Sequence, residues 1–279
     1  MLQKTGKFSV FSGPIDIICP LKYAVERNTS RKPSGLGDSY ENCHDMYDAV
    51  YASIPSERSC QASLNDREDM NARKDFTLTY GELNSMEPMW KLLHKAHQLA
   101  TSNALSPTLS NKIKFYDLGS GSGRPCIAAA LALSNIASVT NTHPDIQCIG
   151  IEILPGLYEL SLLAQEKWIE YSTKIKNSSI DKIILNYQFY LGSIFDLTLC
   201  DWTDGDVVYV NSTCFDVKML LQVYEISTKM KKGSIIITLS RSMIEIEAVS
   251  RNIHDQGHSN REEAPIWEIL FESREEMSW

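Results

Sequence analysis

The stretch "FYDLGSGSGRPCIAAAL", residues 115 to 131, constrains this chain more than any other. An apolar run ends in an acid, Asp117, passes through alternating glycines, Gly119, Gly121 and Gly123, and enters an alanine-rich helical pattern. Glycine accepts the left-handed backbone of sharp turns and lets a ligand come close to the main chain. The stretch therefore reads as strand, tight turn and helix, the opening unit of an α/β domain, with Ser120 inside the candidate binding turn.

Two phosphate-binding readings of this turn weaken. A P-loop needs G-x-x-x-x-G-K-[ST], and no lysine is present. The dinucleotide fingerprint is G-x-G-x-x-G, whereas here Arg124 and Pro125 follow Gly123 and the third glycine is misplaced for a pyrophosphate over the helix end. A carboxylate just ahead of the turn suits a cationic ligand group instead.

The pattern beyond the turn supports the same architecture. Strands are expected over 113–118, 146–152, 184–192, 206–211, 234–240 and 267–273, with helices over 125–133, 157–174 and 217–231. Short apolar strands alternating with helices call for a doubly wound, mostly parallel sheet covered on both faces. Glu152 ends the second of these strands, where a carboxylate can accept from both hydroxyls of a ribose. Asp117 and Glu152 are 35 positions apart, against roughly 20 in a minimal unit. A polar insertion, "SNIASVTNTHPD", accounts for the surplus.

Ahead of the turn the chain is less regular. Residues 1–36, with Pro14, Pro20 and Pro33, read as an irregular arm. Asp38 and Glu41 form a capping box before apolar positions at helical spacing, and residues 56–75 read as a loop or exposed helix. Residues 1–75 are thus expected to form an arm and a small helical lobe, and 76–279 the main domain. Within the latter, Met89, Leu92, Leu93, Ala96 and Leu99 mark an amphipathic helix.

Composition narrows the function classes. The 279 residues are 43% hydrophobic, enough for one sizeable core. No stretch reaches the roughly 18 apolar residues of a membrane span, and the start lacks the layout of a secretory signal, so an intracellular protein with no membrane partner is expected. Seven cysteines stand without a C-x-x-C pair, and His94 with His97, or His254 with His258, lack a third ligand nearby. No metal site is expected. A net charge of −8 leaves at most weak or indirect contact with nucleic acid.

An acid followed by G-x-G-x-G resembles motif I of class I S-adenosylmethionine-dependent methyltransferases. That resemblance implies a Rossmann-like fold and S-adenosyl-L-methionine as cofactor, with Asp117 organising the amino acid end and Glu152 holding the ribose. In order along residues 76 to 242, "TYGE", "DLGSGSG", "GIE", "LGSIF" and "VVYVNSTCF" resemble the disruptor-of-telomeric-silencing family, the non-SET histone H3 lysine methyltransferases.

The family resemblance implies further roles. Tyr80 and Glu82 would stand beside the methionine end of the cofactor, and Asn211 and Phe215 would line a lysine channel. Ser212 replaces a second asparagine of the family pattern. At Gly192, Ser193 and Ile194 the family has Gly-Asp-Phe against the adenine, so Ser193 replaces the aspartate there, with Asp196 close by. The implied partner is histone H3 in nucleosomes and the implied location the nucleus. Two alternatives stay open: a non-histone protein lysine as substrate, with a cytoplasmic location, or an inactive binding module that keeps the fold.

Overall fold

The structure is a computed structural model, and it describes residues 4–12, 38–72, 81–83, 85–102, 112–140, 142, 144–174, 185–239, 241–254 and 267–277. In chain order the elements are β1 (Lys4–Ser12), α1 (Asp38–Tyr51), α2 (Ser56–Ala72), α3 (Glu87–Ser102), β2 (Lys112–Leu118), α4 (Arg124–Val139), β3 (Asp145–Glu152), α5 (Pro155–Lys174), β4 (Leu185–Leu191), β5 (Val207–Val210), α6 (Val217–Ser227), β6 (Ile235–Leu239), α7 (Met243–His254) and β7 (Glu268–Met277).

These strands form one sheet in the order β4-β3-β2-β5-β6-β1-β7. The first five run parallel, while β1 lies antiparallel between β6 and β7. Chain order reverses at β2: successive strands move one way to β3 and β4, and the other way from β5. Ligands of open α/β sheets bind at such a switch point, beyond the carboxyl ends of the strands.

Each face of the sheet has its own core. On one face Phe115, Cys148, Phe189 and Tyr209 pack with residues of α1, α3, α4 and α5. On the other, Leu118, Ile151, Val208 and Ile236 pack with α6 and α7. The α4 helix is apolar or small on every side and buried along most of its length, as befits a helix held between a sheet and further helices. Trp90, Trp168 and Trp202 are all core residues.

The structure corrects several expectations. Part of the expected irregular arm, residues 4–12, is the sheet strand β1. It pairs with β6 and β7, partners more than 200 positions away that no local pattern announces. Of the two readings open for residues 56–75, loop or exposed helix, the structure has the helix, α2, over Ser56–Ala72. The α4 helix continues to Val139, so half of the supposed polar insertion is helix, stabilised by its buried Ile136 and Ala137. Residues 13–37 lie outside the described residues.

Candidate active site

The glycine turn joins β2 to α4. Gly119, Gly121 and Gly123 all have positive φ, at 86°, 56° and 82°, a conformation that side chains strain to adopt. The Gly119 and Ser120 N–H groups both donate to the Ile151 carbonyl of β3, at 2.9 and 3.0 Å, so the turn is anchored to the neighbouring strand. A Cβ on Gly121 would lie 2.8 Å from Glu82 Oε1. Both the backbone angle and the space therefore require glycine there.

Three acids gather around this turn. Asp117 is fully buried, with the Cys126 thiol 3.9 Å from its Oδ2 and no partner for its Oδ1 among the described residues. Burial pushes its carboxyl well above the ordinary carboxylate range, and Glu152 and Glu82 push it in the same direction. Glu152, at the end of β3, accepts from Gly121 N at 2.7 Å and from Leu154 N at 2.8 Å. Burial raises it to about 7 against the opposing pull of those N–H groups.

Glu82 comes from the segment ahead of α3. Its Oε1 accepts from both the N–H and the hydroxyl of Ser122, at 2.8 and 2.6 Å. Its Oε2 lies 3.5 Å from Arg124 Nε. The Arg124 guanidinium in turn donates to the Ile54 carbonyl at 2.6 Å and sits 4.2 Å from the centroid of the Tyr51 ring. Tyr51 reaches back to the Ser122 carbonyl at 3.3 Å. A buried charge pair that satisfies further hydrogen bonds in this way tolerates its desolvation.

The fourth corner is the end of β5. Asn211 Nδ2 donates to the Gly81 carbonyl at 2.8 Å, and its Oδ1 accepts from Thr213 Oγ1 at 2.7 Å. Phe215 folds back over the turn, its ring 3.8 Å from where a Cβ on Gly119 would stand. The Ser212 hydroxyl donates to the Leu239 carbonyl of β6, so it ties two strands together.

Of the residues singled out in the sequence, the structure brings Glu82, Asp117, Gly119, Ser120, Gly121, Gly123, Glu152, Asn211 and Phe215 to the carboxyl ends of β2, β3 and β5. Ser193 and Ile194 follow β4, one strand further out. Ser193 is half-buried, its Oγ accepting from Phe195 N at 3.2 Å. Ile194 packs in the core behind it, its carbonyl accepting from the Trp202 indole. Asp196 is exposed and caps its own turn through the Thr198 hydroxyl and N–H. Tyr80 and His258 lie outside the described residues.

Ser122, Arg124 and Tyr51 were not identified from sequence. The available signal was Arg124 itself, the one charged side chain in the first two turns of an otherwise apolar helix. Among the described residues no group of three or more His, Cys, Asp or Glu is placed to hold a metal ion. No described helix is long and apolar enough to cross a membrane.

A parallel sheet carrying a glycine turn and buried acids at its switch point defines the class I, Rossmann-like methyltransferase fold. Within that class, the chain belongs to the family of the histone methylation protein DOT1, whose family model matches residues 62–265. No curated protein sequence matches the chain. Among solved structures it is similar to a methyltransferase from Geobacter sulfurreducens in complex with S-adenosyl-L-homocysteine, at 16% identity and a TM-score of 0.29, over 52% of this chain and 47% of that one. It is also similar to the CcbJ methyltransferase from Streptomyces caelestis, at 13% identity and a TM-score of 0.28, with the same two coverages, 52% and 47%. The chain thus spans about half the length of these two proteins, and the fold assignment rests on its own strand order.

The residues present fit S-adenosyl-L-methionine. Asp117 Oδ1 and Ser120 Oγ are buried polar atoms without a partner among the described residues. Of the turn's glycines Gly119 is exposed, leaving its main chain open to a ligand, and each Glu152 oxygen keeps acceptor capacity beyond the N–H it already holds.

Proposed function

We propose that the chain transfers the methyl group of S-adenosyl-L-methionine to a lysine of histone H3 in the nucleosome. One observation carries this reading: the Asn211 to Gly81 hydrogen bond. It joins "YGE" and "VNSTCF", the two segments that most class I methyltransferases lack, directly above the glycine turn.

When bound, the cofactor supplies a methyl group on a sulfonium, already a good leaving group. The chain's residues then have to orient and to exclude water, rather than act as acid or base. Asp117 and Ser120 would hold the cationic amino acid end, and Glu152 would accept from the ribose hydroxyls. By the family pattern, Ser193 and Ile194 would meet the adenine side, and Tyr80 and Glu82 the methionine end. Phe215 and Asn211 wall the lysine approach. A lysine ammonium, with an unperturbed pKa near 10.4, must lose its proton before attack, and an apolar wall favours the neutral amine.

Family membership supports a histone as substrate and hence a nuclear location. The net charge of −8 favours a non-histone protein lysine as the second reading, because phosphate contacts with DNA need local positive charge. Contact with nucleic acid is accordingly weak or indirect.

The test begins with titration calorimetry against S-adenosylmethionine and S-adenosylhomocysteine. Absence of binding leaves only an inactive module. If the cofactor binds, radiolabelled methyl transfer to nucleosomes, free histones and a cell extract follows. Label on nucleosomal H3 supports the proposal, and label confined to non-histone bands rejects it in favour of the second reading.

A further inference from the structure

The segment from α1 through α2 touches the glycine turn on one side and the loop after Glu152 on the other. On the first side, Tyr51 and the Ile54 carbonyl hold Ser122 and Arg124, as described above. On the second, Asp66 Oδ2 accepts from Gly156 N at 2.7 Å. Gly156 is the second residue of α5, after Pro155, so its N–H is one of those a helix start leaves without an intrahelical partner. Asp66 satisfies it from another helix, with a charge of the sign that a helix start favours.

The approach is close. A Cβ on Gly156 would lie 3.0 Å from Asp66 Oδ2 and 3.3 Å from Ala62 Cβ, so glycine is what lets α2 seat there. Between this contact and Glu152 stand only Ile153, Leu154 and Pro155. The Leu154 N–H is itself bonded to Glu152 Oε1 at 2.8 Å, and proline adds stiffness. The position of the Glu152 carboxylate is therefore set from α2 through a chain of two hydrogen bonds.

We infer that Asp66 is a positioning residue for the cofactor, holding Glu152 through the Gly156 N–H so that its carboxylate meets the ribose. This rests on the cofactor reading proposed above. Asp66 is half-buried, and the apolar contacts of α2 with the core come from Ala62 and Met70, which its replacement leaves in place.

The experiment measures the dissociation constant for S-adenosylhomocysteine and the melting temperature of the full chain. The variants are Asp66→Ala, Asp66→Asn, Gly156→Ala and the control Gln61→Ala, whose exposed side chain bonds Asn65 on the same helix. Asp66→Ala should weaken binding by about tenfold, the scale of one lost hydrogen bond to a charged group. Asp66→Asn, which keeps an acceptor oxygen, should restore most of it, and Gln61→Ala should bind as wild type. Gly156→Ala, which pushes α2 outward, should weaken binding in the same way and stands in should Asp66→Ala fail to fold. Wild-type affinity in Asp66→Ala, or in Gly156→Ala, overturns the inference, as does equal loss in Asp66→Ala and Asp66→Asn. Wild-type protein that binds no S-adenosylhomocysteine overturns the cofactor reading and this inference with it. Binding with no effect of Asp66 overturns the inference alone.

Discussion

Asn211 and Gly81, 130 positions apart in the chain, are joined by a hydrogen bond of 2.8 Å. The bond fixes the segment carrying Glu82 to the end of β5, above the switch point. Asn211→Ala removes it and leaves the Gly81 carbonyl without this donor. Stability should fall by about 1 kcal/mol, readable in urea denaturation. Methyl transfer should fall by roughly a hundredfold, the scale on which an ångström of misplacement acts. Unchanged turnover in the variant would remove Asn211 from the site.

Asp117 is buried without a full set of partners, and its pKa is raised in the fold. A carboxyl raised above its unfolded value of roughly 3.9 binds protons more readily folded than unfolded. Stability of the protein without cofactor is therefore lost as pH rises from that value through the folded one. Asp117→Asn does not titrate, so it should melt higher than wild type, by a margin that grows between pH 5 and pH 8. The same variant should lose cofactor binding. A margin that shrinks with pH would reverse the assignment.

Glu152 stands at about 7, so it changes charge in an accessible window. Below that value the protonated carboxyl is a poorer acceptor for ribose hydroxyls. Affinity for S-adenosylhomocysteine should fall as pH drops from 8 to 6 in wild type. Without ligand, Glu152 contributes to stability in the opposite sense, its share being lost as pH rises from the unfolded value of about 4.5 to about 7. Glu152→Gln should bind more weakly at pH 8 and show a flatter profile. Parallel profiles in the two proteins would assign the titration to another group.

Arg124 and Glu82 are both almost fully buried. Arg124→Met leaves Glu82 with its Ser122 bonds but without its cation, a change that typically costs about 3–5 kcal/mol. Arg124→Lys should rescue little, since an ammonium cannot reach Glu82, the Ile54 carbonyl and the Tyr51 ring together. Arg124→Met combined with Glu82→Gln should be more stable than Arg124→Met alone. Chemical denaturation of the set reads the coupling directly.

Much of the architecture was legible along the chain because the signals were local. The glycines at 119, 121 and 123 announced their positive φ. The apolar runs of β2 to β6 announced a parallel sheet, and Glu152 stood at the end of one of those runs. Strand β1 gave no such signal, since its partners β6 and β7 come from the far end of the chain and pairing over that distance depends on the assembled sheet. The polar sequence of α2 left loop and exposed helix both open, because what settles it is contact with α5, such as Asp66 with Gly156, and not its own periodicity.

The residue types and their order, on their own, determined the fold class, the glycine turn and the two acids that end β2 and β3. Backbone conformation and the alternation of buried positions are properties of neighbours in the chain. Tertiary structure alone decided how those groups are held. It placed Glu82 on Ser122 and Arg124, left Asp117 Oδ1 without a partner, and brought Asp66 to Gly156. Burial, unpaired polar atoms and shifted proton affinities arise only when distant segments exclude water together, and no spacing along a sequence encodes them.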